Sequence, residues 1–203
     1  MATDNPLMTG RVFLCAGHEL GGGASANGLR ESPYNALVGM LTVKRLRHSG
    51  VEAWLGPLTQ LPYPGEIHAK TAWVASRASS GDLAVDIHLD INEPGCAAFA
   101  IERPQALAMA DGLAEHISRA TGLRCRGGMP ERETGPGRLG FLHAVPCHAV
   151  LVELCSMNTS DEAFAKRPGA RAAFARGLAA GCLAALDLIE ADAQARVGTR
   201  AIA

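Results

Sequence analysis

Aromatic residues are scarce in this sequence. Phe, Trp and Tyr make up 4% of its 203 residues, so the core must consist mainly of Ala, Leu and Val. Strong net charge is also missing: the formal net charge is -1, which leaves no basic surface for a nucleic acid. Hydrophobic residues nevertheless make up 48%, enough for the packed core of one domain, and this excludes global disorder.

Signals for export and membrane insertion are absent as well. The N-terminal segment carries Asp4 before any cationic stretch and has no apolar run of signal-peptide length. No segment approaches the roughly 20 apolar residues that a transmembrane helix needs. We therefore expect cytoplasmic synthesis without a signal peptide, and no membrane span. The six cysteines include no C-x-x-C pair and lie mostly in apolar stretches, which predicts buried free thiols rather than disulfides.

Predicted strands alternate with predicted helices along the chain. Short apolar runs predict strands at 11–16, 51–55, 82–88, 96–101 and 148–154. Helical spacing predicts helices that begin at Ser32-Pro33, cover 66–79, include 106–117, and extend from Phe174 to Ile189. The Gly- and Pro-rich stretch 127–137 predicts a mobile surface loop.

This alternation predicts a single α/β domain, with a mostly parallel twisted sheet flanked by helices. We place the domain at residues 10–191, between an N-terminal extension, 1–9, and a C-terminal tail, 192–203.

Polar side chains follow the ends of several predicted strands. His18 comes directly after the first strand, His88 ends the third, and Glu153 lies at the end of the last. Glu31 lies at the start of the first helix, after a Gly-rich loop. Because open parallel sheets bind ligands beyond the carboxyl ends of their strands, we predict that these four residues converge on one rim.

Two histidines and one glutamate are a common ligand set for catalytic zinc, and the remaining carboxylate, Glu153, is then free for general base and acid catalysis. The spacing alone leaves other interpretations open, because no compact pair such as H-E-x-x-H is present. His18 could be a hydrogen-bonded histidine at a strand–loop junction. Glu31 could complement a helix N-terminus, and Glu153 could be a buried, paired carboxylate.

The four candidate residues lie within short motifs. Residues 11–18 read R-V-F-L-C-A-G-H, 28–31 read G-L-R-E, 82–88 read D-L-A-V-D-I-H, and 149–153 read A-V-L-V-E. In this order they resemble motifs of the zinc-dependent N-acetylmuramoyl-L-alanine amidases of the amidase-3 family, and the resemblance covers residues 10 to 190. It implies one Zn²⁺ per chain, bound at the strand ends.

By this resemblance, His18, Glu31 and His88 are the zinc ligands and Glu153 is catalytic. The implied substrate is peptidoglycan or a muropeptide, cleaved at the amide between N-acetylmuramic acid and L-alanine. Without a signal peptide, the protein would reach the cell wall through lysis or a route other than Sec.

Several positions depart from the family's motifs. Cys15 replaces an Asp, Asp86 and Asp90 replace Ser and Asn, and His143 replaces a common Arg. We expect Asp90, Asn92 and His143 to contact the substrate, although His143 could also be an ordinary loop histidine. These departures keep two alternatives open. One is a zinc peptidase or amidohydrolase of the same fold acting on a different small or poly-amino-acid amide. The other is a non-catalytic binding module. The sequence leaves the oligomeric state undetermined.

Overall fold

The computed structural model describes residues 10–200, and the side chains through residue 196. The strands within this part are β1 (Val12–Ala16), β2 (Ser25–Ala26), β3 (Leu29–Arg30), β4 (Ala53–Leu55), β5 (Leu83–Asp90), β6 (Cys96–Ala100), β7 (Cys125–Pro130) and β8 (His148–Ser156). The helices are α1 (Glu31–His48), α2 (Gly65–Ala75), α3 (Pro104–Thr121), α4 (Gly140–Ala144), α5 (Glu162–Ala165) and α6 (Ala170–Arg200).

Six of the strands form one mixed sheet in the order β4-β1-β5-β8-β6-β7. All neighbouring pairs are parallel except β6 and β8, which are antiparallel. Helices pack on both faces. The prediction of a single α/β domain with a mostly parallel sheet is therefore confirmed.

The two faces of the sheet carry different helices. Side chains alternate between faces along a strand, so Val12 and Leu14 of β1 lie in one hydrophobic cluster and Phe13 in the other. The first cluster includes residues of α1, α3 and α6, and the second includes Val74 of α2 and Phe141 of α4. The carboxyl ends of β1, β5 and β8 lie at one edge, because these three strands are parallel neighbours.

The first helix begins earlier than the predicted start at Ser32-Pro33: α1 starts at Glu31, and Arg30 is the capping position. The predicted Gly-rich loop contains the short antiparallel hairpin β2–β3. The backbone N–H of Glu31 donates to the carbonyl of Ala24 at 3.1 Å, so the hairpin takes the place of a capping side chain.

The predicted mobile loop at 127–137 is wrong in its first part, because β7 extends through Pro130 and pairs with β6. The glycines there allow close packing: a Cβ on Gly128 would lie 2.3 Å from the backbone nitrogen of Asp111 in α3. The predicted helix at 66–79 ends earlier, at Ala75. All six cysteines are free, as predicted, but Cys125 is exposed.

Helix α6 continues through Arg200, so the predicted tail at 192–203 begins inside a helix; the predicted extension 1–9 lies outside the described residues. By length and composition, Ala170–Arg196 could cross a bilayer, whereas the sequence predicts no membrane span. However, 56% of its most apolar window is buried, and α6 packs along α3 and α1. This packing is that of a core helix.

Candidate metal centre

His18, Glu31 and His88 come together at the carboxyl edge of the sheet. Oε1 of Glu31 lies 3.1 Å from Nε2 of His18 and 3.0 Å from Nδ1 of His88. The two imidazole rings meet edge to face, with centroids 4.9 Å apart. One ligand atom from each residue lies within 4.8 Å of the other two, so the three side chains form a group that could hold one metal ion.

Glycines make room for this group. The backbone of His18 has a φ of 63°, a left-handed conformation that turns the chain sharply as it leaves β1. A Cβ on Gly17 would lie 2.4 Å from the His88 ring, and one on Gly23 would lie 2.7 Å from the His18 ring. The family-like A-G-H segment therefore requires glycine at position 17 for a steric reason.

The Glu31 carboxylate is 3% exposed and has four hydrogen-bond partners. Besides the two imidazoles, the backbone N–H of Ala24 donates to Oε2 at 2.8 Å, and that of Leu89 donates to Oε1 at 3.2 Å. Burial alone would raise the pKa of Glu31, but the hydrogen bonds from His18 and His88 outweigh it and hold this pKa well below its usual range. Glu31 is therefore a fixed, ionised ligand candidate.

His88 lies between two carboxylates. Its Nδ1 atom faces Glu31, and its Nε2 atom lies 3.1 Å from Oδ2 of Asp86. Burial would lower the pKa of His88, but the negative charge of Asp86 and the contacts with both carboxylates raise it well above its usual value. A carboxylate behind the ring orients a histidine ligand, so Nδ1 can bind a metal ion while Nε2–H donates to Asp86.

Glu153 lies beside this group. It is paired in register with His88 across β5 and β8, and both side chains point to the same face. Its Oε2 atom is buried and has no hydrogen-bond partner among the described residues. Burial raises the pKa of Glu153 to about 8. The negative charges of Asp90 and Glu31 also raise this pKa, whereas the charge of His88 lowers it. A buried carboxylate with a free oxygen and a raised pKa is suited to exchanging protons near neutral pH.

Asp90 and Asn92, two of the expected substrate residues, lie at the end of β5 and just beyond it. Oδ2 of Asp90 accepts a hydrogen bond from Arg126 at 2.6 Å, and Arg126 also pairs with Glu93. Asn92 is exposed, and its side chain and backbone exchange hydrogen bonds with Asn158 at 2.9 and 2.6 Å. Both residues border the edge of the sheet that carries the histidine–glutamate group, and their contact with a substrate stays a prediction.

His143, the third expected substrate residue, lies in α4 rather than in a strand or loop. Its Nε2 atom is 2.6 Å from Oε1 of Glu131, whose other oxygen accepts the backbone N–H of Leu139 at 2.7 Å. Within residues 10–196, no hydrogen bond or ion pair joins His143 to the histidine–glutamate group. The structure thus gives this histidine a local partner and leaves its role in substrate binding untested.

Sequence reasoning did not identify several residues that support this site. Asp86 enters the sequence-based prediction only as a departure from the family's motif, although its place two residues before His88 puts both side chains on one face. The Arg126 guanidinium bridges Asp90 and Glu93, a role that the sequence pattern does not assign to it. A buried ion pair between Glu66 and Lys70 in α2 was also missed, because an i,i+4 pair is typical of exposed helices.

Two imidazoles and a carboxylate on the strand edge of an α/β domain, next to a second carboxylate, match the ligand pattern of single-metal hydrolases. The chain belongs to the amidase-3 family, described as N-acetylmuramoyl-L-alanine amidase, whose model matches residues 12–184. The family expected from the sequence motifs is thereby confirmed. The comparison with curated proteins finds no match.

Solved structures of amidases have the same fold. The catalytic domain of CwlV, an N-acetylmuramoyl-L-alanine amidase from Bacillus (Paenibacillus) polymyxa var. colistinus, is 20% identical, with a TM-score of 0.72 over 88% of this chain and 99% of that one. An N-acetylmuramoyl-L-alanine amidase from Clostridium difficile 630 is 17% identical, with a TM-score of 0.70 over 88% of this chain and 97% of that one. The CwlD amidase from Clostridioides difficile, solved in complex with the GerS lipoprotein, is 15% identical, with a TM-score of 0.73 over 88% of this chain and 99% of that one.

Proposed function

We propose that this chain is a zinc-dependent amidase that hydrolyses the amide between N-acetylmuramic acid and L-alanine of peptidoglycan. The observation that carries the proposal is the convergence of His18, Glu31 and His88, whose ligand atoms lie within 4.8 Å of one another. Membership of the amidase-3 family supports the choice of substrate.

The donor set fits one zinc ion. Two imidazole nitrogens and a carboxylate oxygen are usual zinc ligands, and three protein ligands leave a coordination position open. When bound here, zinc would supply a Lewis acid that polarises the amide carbonyl and acidifies a water molecule. Asp86 behind His88, and the Ala24 and Leu89 amides on Glu31, hold the ligands in place before any ion arrives.

We assign proton transfer to Glu153. Its unpartnered Oε2 can accept a proton from the attacking water, whose oxygen bonds to the carbonyl carbon. The same carboxyl group then gives that proton to the nitrogen of L-alanine as the C–N bond breaks. The products are a free carboxylic acid on the muramyl lactyl group and a free amine on the peptide.

Two variants and two measurements test this function together. We expect purified wild type to contain about one zinc per chain, and the products of peptidoglycan digestion to show a new amino terminus on L-alanine by mass spectrometry. Glu153→Gln and Glu153→Ala should each keep zinc while the rate falls at least about 100-fold. The control is Glu115→Gln, which replaces an exposed carboxylate on α3 and should leave the zinc content and the rate unchanged.

Other outcomes would contradict specific parts of the proposal. Lytic activity that survives in Glu153→Ala would remove Glu153 from proton transfer. A zinc-loaded protein that cleaves small N-acyl amino acids or poly-amino-acid amides, but not peptidoglycan or muropeptides, would establish the alternative hydrolase. A protein that cannot be loaded with metal would favour a binding module.

A further inference from the structure

Helix α2 contains a buried ion pair. Nζ of Lys70 lies 2.6 Å from Oε2 of Glu66, one helical turn earlier, and the two side chains are only 2% and 5% exposed. Removing an ammonium group and a carboxylate from water is costly, and within residues 10–196 the buried Oε2 atom of Glu66 makes no hydrogen bond that offsets this cost. The further contact of Lys70 therefore indicates the role of the pair.

The second contact of Lys70 leads to the metal centre. Its ammonium group donates a hydrogen bond to the backbone carbonyl of His18 at 2.9 Å. His18 lies two residues after the end of β1, and its backbone has a left-handed conformation with a φ of 63°. The pairing of β1 with β5 ends at Ala16, and within residues 10–200 no sheet partner holds the His18 carbonyl, so Lys70 fixes the peptide that follows the His18 side chain.

We propose that Lys70 is a positioning residue for the ligand His18, and that Glu66 in turn holds Lys70. By fixing the His18 carbonyl, the ammonium group sets the backbone angle that points the imidazole at Oε1 of Glu31, 3.1 Å away. This inference rests on the proposed zinc site, because the consequence of misplacing His18 is weaker metal binding. It assigns a role to a buried charge that the hydrolytic reaction itself does not use.

The chain offers a matched control for this pair. Glu162, the first residue of α5, and Lys166, at the C-cap of that helix, are also an i,i+4 pair, 2.5 Å apart, but Lys166 is 43% exposed. Its ammonium group has no contact with the histidine–glutamate group among the described hydrogen bonds and ion pairs. Lys166→Met therefore removes a similar pair without touching the metal centre.

The experiment compares zinc affinity in wild type, Lys166→Met and the double variant Glu66→Gln/Lys70→Met, by competition with a chromophoric chelator. The double variant removes both charges, so that no unpaired ion remains buried. We expect its zinc dissociation constant to rise about 10- to 100-fold, as for the loss of other groups that support metal ligands. Lys166→Met should bind zinc as wild type does.

A second measurement, on metal-free protein, separates positioning from general stability. In the double variant, hydrogen exchange should accelerate at the amides of residues 17–23 and stay unchanged in α3 and α6. Zinc affinity within twofold of wild type would overturn the inference, and so would a double variant that does not fold. Wild type that binds no zinc would instead overturn the proposed function, and this inference with it.

Discussion

Glu153 lies directly beside His88 across two parallel strands, and its Oε2 atom is buried without a hydrogen-bond partner within residues 10–196. The two residues differ in the hydrogen-bond partners that their surroundings provide. Both imidazole nitrogens of His88 face carboxylates, whereas Oε2 of Glu153 has no hydrogen-bond partner in the part of the chain that the structure describes. This asymmetry separates a group held for binding from a group left available for proton transfer.

The raised pKa of Glu153 predicts a pH-dependent stability of the metal-free protein. A carboxyl group with a folded pKa of about 8, above its ordinary 4.5, contributes stability that is complete below pH 4.5 and is lost as pH rises towards 8. In Glu153→Gln, the side chain at this position is uncharged at every pH. After chelation of metal, we expect this variant to melt at least about 2 °C above wild type at pH 8 and within about 1 °C of it at pH 5. Equal Tm differences at both pH values would contradict a raised pKa.

Gly17 is predicted to be required for metal binding. Its missing Cβ leaves space for the His88 ring, since an added methyl group would lie 2.4 Å from the ring. Gly17→Ala should therefore displace this imidazole and weaken zinc binding at least about tenfold, as measured by chelator competition. The control is Gly112→Ala on α3, where a Cβ meets nothing within 4 Å. Wild-type affinity in Gly17→Ala would show that His88 is not a ligand or can move freely.

The sequence predicted the central residues of the candidate site better than the residues that hold them in place. Strand ends have a recognisable position in an α/β chain, so His18, His88 and Glu153 could be expected at one edge. Lys70 and Glu66 could not, because the spacing of an exposed helical pair and of a buried one is the same. The sequence predicts a loop for residues 127–130 of β7, since glycines signal a turn in sequence but allow close packing on α3 in the fold. These features depend on which helices and strands pack against each other. The local sequence pattern does not contain that information.

The close packing of α6 against α3 depends on two glycines one turn apart. A Cβ on Gly177 would lie 2.6 Å from the Cα atom of Ile117, and one on Gly181 would lie 2.9 Å from that of Leu113. In an exposed helix, Gly→Ala stabilises a protein by roughly 0.5–1 kcal/mol, whereas overpacking costs about 1–3 kcal/mol.

Because these two effects have opposite signs, one substitution distinguishes them. We expect Gly177→Ala to lower Tm by several degrees, at roughly 2–4 °C per kcal/mol for a chain of this size. Gly112→Ala on the partner helix α3 should raise Tm slightly. Thermal unfolding of both variants checks the prediction, and a higher Tm for Gly177→Ala would show that the two helices can separate without cost.

The ion pair between Arg11 and Asp82 predicts acid sensitivity at the opposite edge of the sheet from the metal centre. Asp82 is 2% exposed and accepts hydrogen bonds from the backbone and side chains of both Arg11 and Ser79. Burial would raise the pKa of Asp82, but the bonds from Arg11 and Ser79 outweigh it and lower this pKa below its ordinary 3.8. The stabilisation is therefore complete above pH 3.8 and is lost as pH falls through the lower, folded pKa.

Asp82→Asn removes this titration together with the charge-assisted bonds. We expect the variant to lose about 1–3 kcal/mol of unfolding free energy at pH 7, as measured by urea denaturation. The loss should become smaller as pH falls below 4, where wild type gives up the same interaction. Asp187→Asn, on an exposed position of α6, should change stability by no more than about 0.5 kcal/mol at either pH. A constant difference between wild type and Asp82→Asn down to pH 3 would mean that the Asp82 carboxylate contributes through its shape, because an effect of its charge must disappear on protonation.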